Sequence, residues 1–191
     1  MKKNLVKENL RQANKLLIEF INNDENIEKI SQAADIMTKS INKGGKIIAC
    51  GNGGSMSDAM HFAAELTGRF HKSRNPLPAV AISDPSHITC IGNDYGFDYI
   101  FSRYVETLGK KEDILLAIST SGNSLNVLNA AKSAKNKGID VIGLTANNGG
   151  KLANLCNLEI RVPKTDYSDR AQEIHIKVIH SLVECIESNI L

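Results

Sequence analysis

A glycine-rich turn between a short apolar run and a helical repeat constrains the fold more than any other stretch. The run Ile47 to Cys50 predicts a buried parallel strand, and Gly51-Asn-Gly-Gly-Ser55 predicts a tight turn. Apolar positions at helical spacing follow from Met56 to Leu66, and Gly68 suits the end of a helix. A strand, a glycine turn and a helix N-terminus present free N–H groups to an anion, so this unit predicts a ligand site.

Strands and helices are predicted to alternate along the rest of the chain. Further strands are expected at residues 79–82, 113–118, 139–144 and 158–162. Helices are expected at residues 4–21, 26–42, 97–108, 124–137 and 168–188, with short ones after Ser86 and after Gly150. Such alternation predicts a parallel sheet with helices on both faces.

The predicted architecture is an α/β fold. We expect a three-layer αβα sandwich around a doubly wound, mainly five-stranded parallel sheet, preceded by an N-terminal helical hairpin. A chain of 191 residues is most simply a single domain, with N-terminal helices over residues 1–43 and an α/β core over residues 46–191. Ligands of such folds gather where the strands end.

Composition excludes several classes of protein. A net charge of +2 and dispersed basic residues argue against a nucleic-acid surface, and no apolar run is long enough to span a membrane. The cysteines lack any C-x-x-C spacing, so we expect reduced core thiols in a cytoplasmic protein. They are Cys50, Cys90, Cys156 and Cys185.

A second polar turn, Ser119-Thr-Ser-Gly-Asn-Ser124, follows the strand at 113–118 directly. Four hydroxyls beside a helix N-terminus suit a phosphate monoester, whereas a helix cap alone would explain one or two of them. The turn lacks the Gly-Lys-Ser/Thr of a P-loop, so no nucleotide cofactor is expected.

Three further residues have an open interpretation from the sequence. His61 and Glu65 share a helix face at i, i+4 spacing, which is often mere surface decoration but here lies behind the glycine turn. His180 stands among apolar neighbours, which favours a satisfied core histidine. Asn93-Asp94 is explained as a helix stop.

Together these segments resemble the SIS-domain phosphosugar isomerases, and among them the phosphoheptose isomerases, over nearly the whole length. The matching motifs are Cys50-Gly-Asn-Gly-Gly-Ser55, Asp58-Ala-Met-His-Phe-Ala-Ala-Glu-Leu-Thr-Gly-Arg69, Gly92-Asn-Asp-Tyr-Gly-Phe97, Ser119-Thr-Ser-Gly-Asn-Ser124 and Arg170-Ala-Gln-Glu-Ile-His-Ile-Lys-Val-Ile-His180. The resemblance implies isomerisation of D-sedoheptulose 7-phosphate to D-glycero-D-manno-heptose 7-phosphate through a cis-enediol(ate), which supplies heptose for lipopolysaccharide or capsule. A non-catalytic SIS protein that binds a replication initiator, or an isomerase of another phosphosugar, is the alternative.

The resemblance also implies roles for individual residues. The phosphate would be held by Ser119, Thr120, Ser121 and Ser124. The sugar would be contacted by Asn52, Gly53, Gly54, Glu65, Asn93, Asp94 and Gln172. Glu65 and His180 would be the acid/base pair, and one Zn²⁺ per site would be bound by His61, Glu65, Gln172 and His180.

Spacing adds an expectation about assembly. Gln172 and His180 are eight residues apart in one predicted helix, hence about 12 Å along its axis. We therefore expect a neighbouring subunit to supply at least one of them, in keeping with the homotetramers of the resembled family. A carboxylate bound tightly to zinc is also a poorer base, so either one Glu65 oxygen stays free or the metal is not essential.

Overall fold

A five-stranded parallel sheet forms the centre of the computed structural model, which describes residues 2–191. Its strands are β1 (Ile47–Gly51), β2 (Ala79–Ala81), β3 (Ile114–Ile118), β4 (Asp140–Ala146) and β5 (Leu158–Val162). Their order is β2-β1-β3-β4-β5. The α-helices are α1 (Lys2–Ile21), α2 (Asp24–Asn42), α3 (Gly54–Thr67), α4 (Pro85–Asp94), α5 (Ser102–Leu108), α6 (Leu125–Asn136) and α7 (Ser168–Ile190). The predicted α/β class and sheet are confirmed.

Two apolar cores lie on opposite faces of the sheet. Successive strand residues point to opposite faces, so Ile47 and Ala49 of β1 join one core while Ile48 and Cys50 join the other. Helices α1, α2, α3 and α7 cover the first face, and α4, α5 and α6 cover the second. Burial on both faces explains why β1 and β3 are continuous apolar runs.

The chain changes direction across the sheet between β1 and β3. Strand β1 pairs with β2 on one side and with β3 on the other, in the register Ile47↔Ile114. The helices that follow β1 and β3 lie on opposite faces, which opens a crevice at the carboxyl ends of these two strands. The turns that flank this crevice are residues 52–55 and 119–124.

Two predicted helices are shorter than the sequence suggested. The segment 97–108 begins with a separate 3-10 turn, Phe97–Tyr99, before α5. After Gly150 there is only the 3-10 turn Ala153–Leu155. The loop before it contains three residues of positive φ, which are incompatible with a right-handed helix: Asn147, Gly149 and Gly150.

The apolar residues in the amino-terminal half of α1 are exposed in the described chain, although Arg170 donates to the Asn9 carbonyl at 3.0 Å. Only Leu16 and Phe20 of this helix are buried, whereas Leu5, Val6 and Leu10 are each more than half exposed. None of the helices within residues 2–191 combines the length and apolar character that a membrane span requires.

The cysteine prediction needs one correction. All four cysteines are free thiols, but only Cys50 is a core residue. Cys90 is exposed on α4, and Cys156 and Cys185 are half-buried, because the elements that carry them lie at the outside of the sandwich.

Candidate active site

The glycine turn brings the start of α3 against α7. Gly53 has φ 54° and ψ −121°, which a residue with a side chain rarely adopts. A Cβ atom on Gly54 would lie 2.7 Å from Oε1 of Gln172, so glycine here leaves room for that carboxamide. The predicted sugar-contacting residues Gly53, Gly54 and Gln172 are therefore together.

Further along the same two helices, His61, Glu65 and His180 meet. His61 Nε2 lies 3.0 Å from His180 Nε2 and 3.2 Å from Glu65 Oε1. The side chains of His61 and Glu65 are 43% and 22% exposed, so the group faces an open surface. The interpretation of His180 as a core residue is wrong, since it is only half-buried and packs beside Phe70 as well.

Hydrogen bonding at this group depends on which ring nitrogens carry a proton, because Nε2 of His61 faces both His180 Nε2 and Glu65 Oε1. If Nε2 of His61 carries the proton, it donates to the Glu65 carboxylate or to His180. If His180 donates to His61 instead, the lone pair of His61 also faces the carboxylate. A proton or a cation at this position would satisfy all three groups.

The predicted phosphate turn leaves part of its bonding capacity unused at the start of α6. Ser124 is the N-cap of α6 but makes no side-chain cap bond, and its Oγ accepts from the Oγ of buried Ser119 at 3.3 Å. The first helical hydrogen bond runs from Leu128 N–H to Ser124 O, and the Val127 N–H donates to the Asn126 side chain. The N–H groups of Leu125 and Asn126 have no partner within residues 2–191 and lie at the positive end of the helix, as anion binding requires.

The shape of this turn depends on one glycine. Gly122 has φ 61°, and a Cβ atom there would lie 1.9 Å from Gly149 O. Ser121 Oγ accepts from the Asn123 N–H at 3.1 Å, and the Thr120 carbonyl accepts from the Ala146 N–H at 3.1 Å. The hydroxyl turn is thus held by its own bonds and by the loop behind it.

A pair of amides that could not be predicted from the sequence joins the two turns. Asn52 Nδ2 donates to Asn126 Oδ1 and Asn126 Nδ2 donates to Asn52 Oδ1, each at 2.9 Å. Asn126 is 2% exposed, and its Oδ1 also accepts from the Val127 N–H. Much of the bonding capacity of Asn52, a predicted sugar contact, is therefore used to fix the glycine turn to the start of α6.

Asn93 and Asp94 make no hydrogen bond to these turns within residues 2–191. They end α4, about 13 Å along its axis from the start of the helix at Pro85. Asn93 Nδ2 donates to Asp94 Oδ1 at 2.8 Å. The role of this pair in contacting the sugar therefore stays a prediction.

A buried carboxyl group on α3 was not predicted from the sequence. Asp58 is 8% exposed, its Oδ2 has no hydrogen-bond partner, and burial raises its pKa to about 6. It lies one turn before His61, whose charge opposes the shift. Its place inside an apolar-periodic segment could have indicated burial.

The predicted metal ligands are only partly together. His180 meets His61 within one chain, so this pair needs no neighbouring subunit. Gln172 lies instead against Gly54, about 10 Å up the axis of α3 from His61. Among the side chains of residues 2–191, no set of three or more His, Cys, Asp or Glu residues is arranged to hold a metal ion.

Comparison with known proteins identifies the family to which the chain belongs. A sequence model of the SIS domain matches residues 8–146. The chain is 56% identical over 182 residues to phosphoheptose isomerase of Cytophaga hutchinsonii, covering 95% of each chain. The chain belongs to the phosphoheptose isomerase family. To the Vibrio cholerae family member it is 51% identical over 187 residues, 98% of each chain.

Solved structures of the phosphoheptose isomerase family agree. The phosphoheptose isomerase GmhA of Neisseria gonorrhoeae superposes with a TM-score of 0.92 at 42% identity, over 98% of this chain and 100% of that one. The Francisella tularensis enzyme gives 0.93 at 38% identity, over 98% and 99%. The predicted resemblance is confirmed.

Proposed function

We propose that the protein interconverts D-sedoheptulose 7-phosphate and D-glycero-D-manno-heptose 7-phosphate. The relatives named above are phosphoheptose isomerases at 51–56% identity over nearly the full chain. The observation that carries the assignment to particular residues is the meeting of His180 from α7 with His61, which also contacts Glu65, on α3. A non-catalytic binding role would leave this convergence of acid/base groups unexplained.

The reaction moves a proton between C1 and C2 through a cis-enediol(ate). One group must remove a proton from carbon, and another must give a proton to the carbonyl oxygen as charge develops there. Glu65 is the base in our proposal and His180 the acid. His61 contacts both Glu65 and His180, so the proposed base and acid are already close together before substrate binds.

Substrate binding follows from the two turns. Ser119, Thr120, Ser121 and Ser124 hold the phosphate, with the outward N–H groups of the first turn of α6. Gly53, Gly54 and Gln172 hold the sugar beside the start of α3. His61 lies about 10 Å further along that helix.

Three of the predicted ligands supply donor types that zinc prefers, although within residues 2–191 they do not form a preformed three-ligand site. Imidazole nitrogens and a carboxylate oxygen are ordinary zinc donors, and a tetrahedral ion would separate its ligand atoms by roughly 3.3 Å. The observed separations at His61 Nε2 are 3.0 and 3.2 Å. We propose that His61, Glu65 and His180 hold Zn²⁺, which would act as a Lewis acid on the sugar oxygens. Gln172 then serves the sugar.

A homotetramer with a shared site is the proposed assembly. Contact with other subunits would bury several exposed apolar side chains, namely those of α1 and those of Tyr95, Phe97 and Tyr99. Met60, which is half exposed beside His61, would be buried in the same way. In this arrangement Asn93 and Asp94 reach the sugar of a neighbouring chain. The proposed setting is the cytoplasm, and the proposed use of the product is heptose for lipopolysaccharide or capsule.

The test is turnover of defined ketose phosphates. The purified protein is incubated with sedoheptulose 7-phosphate and with five- and six-carbon ketose phosphates, and products are followed by NMR. We expect the heptulose phosphate to be converted and the shorter sugars to react far more slowly. No turnover of the heptulose phosphate would refute the proposal, and faster turnover of a shorter sugar would reassign the substrate.

A further inference from the structure

A buried arginine closes the end of the helix that carries Glu65. The side chain of Arg74 is only 2% exposed. Its guanidinium donates to the carbonyl of Glu65 at 2.9 Å and to that of Leu66 at 2.8 Å, with a longer contact of 3.4 Å to Gly68 O. Arg74 therefore bonds directly to the backbone of the proposed base.

The end of α3 has no cap of the usual kind. Gly68 has φ −93°, outside the left-handed conformation with which glycine commonly closes a helix. The Leu66 carbonyl also accepts from the Leu77 N–H at 2.9 Å, whereas the donor to the Glu65 carbonyl is Arg74. A positive charge at a helix C-terminus is favourable as well, and Arg74 supplies it.

Glu187 neutralises this arginine from α7. Arg74 Nε donates to Glu187 Oε1 at 2.9 Å, and the Glu187 side chain is 3% exposed. Its other oxygen accepts the N–H groups of His71 and Lys72 at 3.3 and 3.2 Å. Glu187 lies seven residues after His180, so the same helix carries the proposed acid and the partner of Arg74.

Helices α3 and α7 run side by side in the same direction. Gly54 faces Gln172 at their beginnings, His61 faces His180 in the middle, and the Arg74–Glu187 pair joins their ends. Sliding α7 by one residue would shift His180 by about 1.5 Å along the axis. The relative register of these helices therefore decides whether the acid and base meet.

We propose that Arg74 and Glu187 form a register clamp, a buried ion pair that fixes α3 against α7 and thereby positions Glu65 and His180. Both are positioning residues for the proposed isomerisation, and the inference rests on that function. Stability alone is a poor reason for such a pair, because buried ion pairs are often replaced by apolar residues without loss of stability. Such a replacement gives the test.

The central variant is the double substitution R74M/E187L. It removes both charges together, so no uncompensated charge stays buried. We expect a Tm within about 5 °C of the parent and a kcat lowered about 10- to 100-fold, since small misplacement of catalytic groups has effects of that size. KM should change less than about threefold, because the phosphate turn belongs to α6.

R74K provides a second variant in case the double variant fails to fold. It keeps the charge but loses the planar fork that reaches several carbonyls. We expect the same fall in kcat. K46M is the control: it breaks the Lys46–Asp113 ion pair, which precedes β1 and β3 and involves neither α3 nor α7, and should lower Tm while leaving kcat at 25 °C unchanged. A folded variant, R74M/E187L or R74K, with parental kcat would overturn the clamp.

Amide hydrogen exchange separates this inference from the proposed function. In R74M/E187L the amides of residues 64–68 should exchange at least about tenfold faster than in the parent, whereas in K46M they should not. If the parent itself fails to turn over the heptulose phosphate, the proposed function is at fault. The clamp is then judged by exchange alone, and unchanged exchange at 64–68 overturns it.

Discussion

His61 Nε2 and His180 Nε2 lie 3.0 Å apart although the residues are 119 positions apart in the chain. Each comes from a separate helix on the same face of the sheet, and Glu65 lies one turn beyond His61. A mutation in any of these three side chains is therefore expected to act on chemistry rather than on folding.

Substitution of the proposed base gives the first prediction. E65Q keeps the shape of the side chain but cannot accept a proton, so kcat should fall about 10²- to 10⁴-fold with little change in Tm. Steady-state kinetics and thermal unfolding measure the two quantities. E28Q, an exposed glutamate-to-glutamine change on α2, should leave both unchanged. Near-parental kcat in E65Q would remove Glu65 as the base.

Metal removal gives the second prediction. Chelation should lower activity, and added Zn²⁺ should restore it, with one zinc per chain by elemental analysis. H61A should lose the bound zinc, whereas Q172A should keep it, because Gln172 lies at Gly54 rather than at the histidines. Zinc loss in Q172A together with retention in H61A would show that the ligand set is wrong.

Two glycines that look alike in the sequence should respond differently to alanine. At Gly122 a Cβ atom meets backbone and φ is positive, so G122A should destabilise the protein by about 1–3 kcal/mol. At Gly54 the Cβ atom meets only the flexible end of Gln172. G54A should keep its Tm and raise KM. Denaturant unfolding and kinetics distinguish the two, and equal loss of stability would contradict the prediction.

Two buried groups should give opposite pH dependences of stability. Burial raises the Asp58 pKa to about 6 from 3.8, so the folded state holds that proton more tightly and stability falls as pH rises from 4 to 6. Burial lowers the His175 pKa to about 4 from 6.5, so stability falls as pH drops from 6.5 to 4. Each effect has a limit of about 3 kcal/mol, and the two oppose each other over most of this range.

Removing one group should expose the other. The metal-free D58N variant should lose stability relative to the parent as pH falls from 6.5 to 4, since only the His175 effect remains. The metal-free H175F variant should gain relative to the parent over the same range. Urea unfolding at several pH values measures both slopes. Parallel slopes in the two variants would contradict the assignment.

Subunit mixing tests the shared site. Asn93 and Asp94 make no hydrogen bond to either turn within the described chain, and we expect them to serve a neighbour. Mixed oligomers of E65Q and D94A should recover part of the parental activity, because some sites would receive an intact Glu65 and an intact Asp94. Two variants within one chain's own set, E65Q and H180A, should not recover. Recovery in the second mixture alone would reverse the assignment.

The sheet was predictable because strands buried on both faces are continuous apolar runs, as in β1 and β3. The two turns were predictable from their residue types. The relation between α3 and α7 was not, since two apolar helix faces can pack in several registers. His175 illustrates this: it is fully buried and donates from Nε2 to the Thr145 carbonyl, whereas His180, five residues later, lies on the face toward His61.

Contacts between side chains from distant segments could not be predicted from the sequence either. Arg74 stood in a loop with several basic groups, and nothing in its neighbours indicated that Glu187 would neutralise it. Asn126 follows the hydroxyl turn but carries no local sign of its partner 74 residues earlier. Both contacts depend on the completed fold.

The amide pair of Asn52 and Asn126 has a consequence for redesign of the specificity. The glycine turn and the start of α6 are hydrogen-bonded to each other. A change that moves one of them to suit a smaller sugar therefore moves the other as well. The distance between the proposed sugar subsite at the glycine turn and the proposed phosphate subsite at the hydroxyl turn is therefore fixed. A variant that accepts a shorter ketose phosphate therefore has to change side chains of α7 rather than the spacing of the two turns.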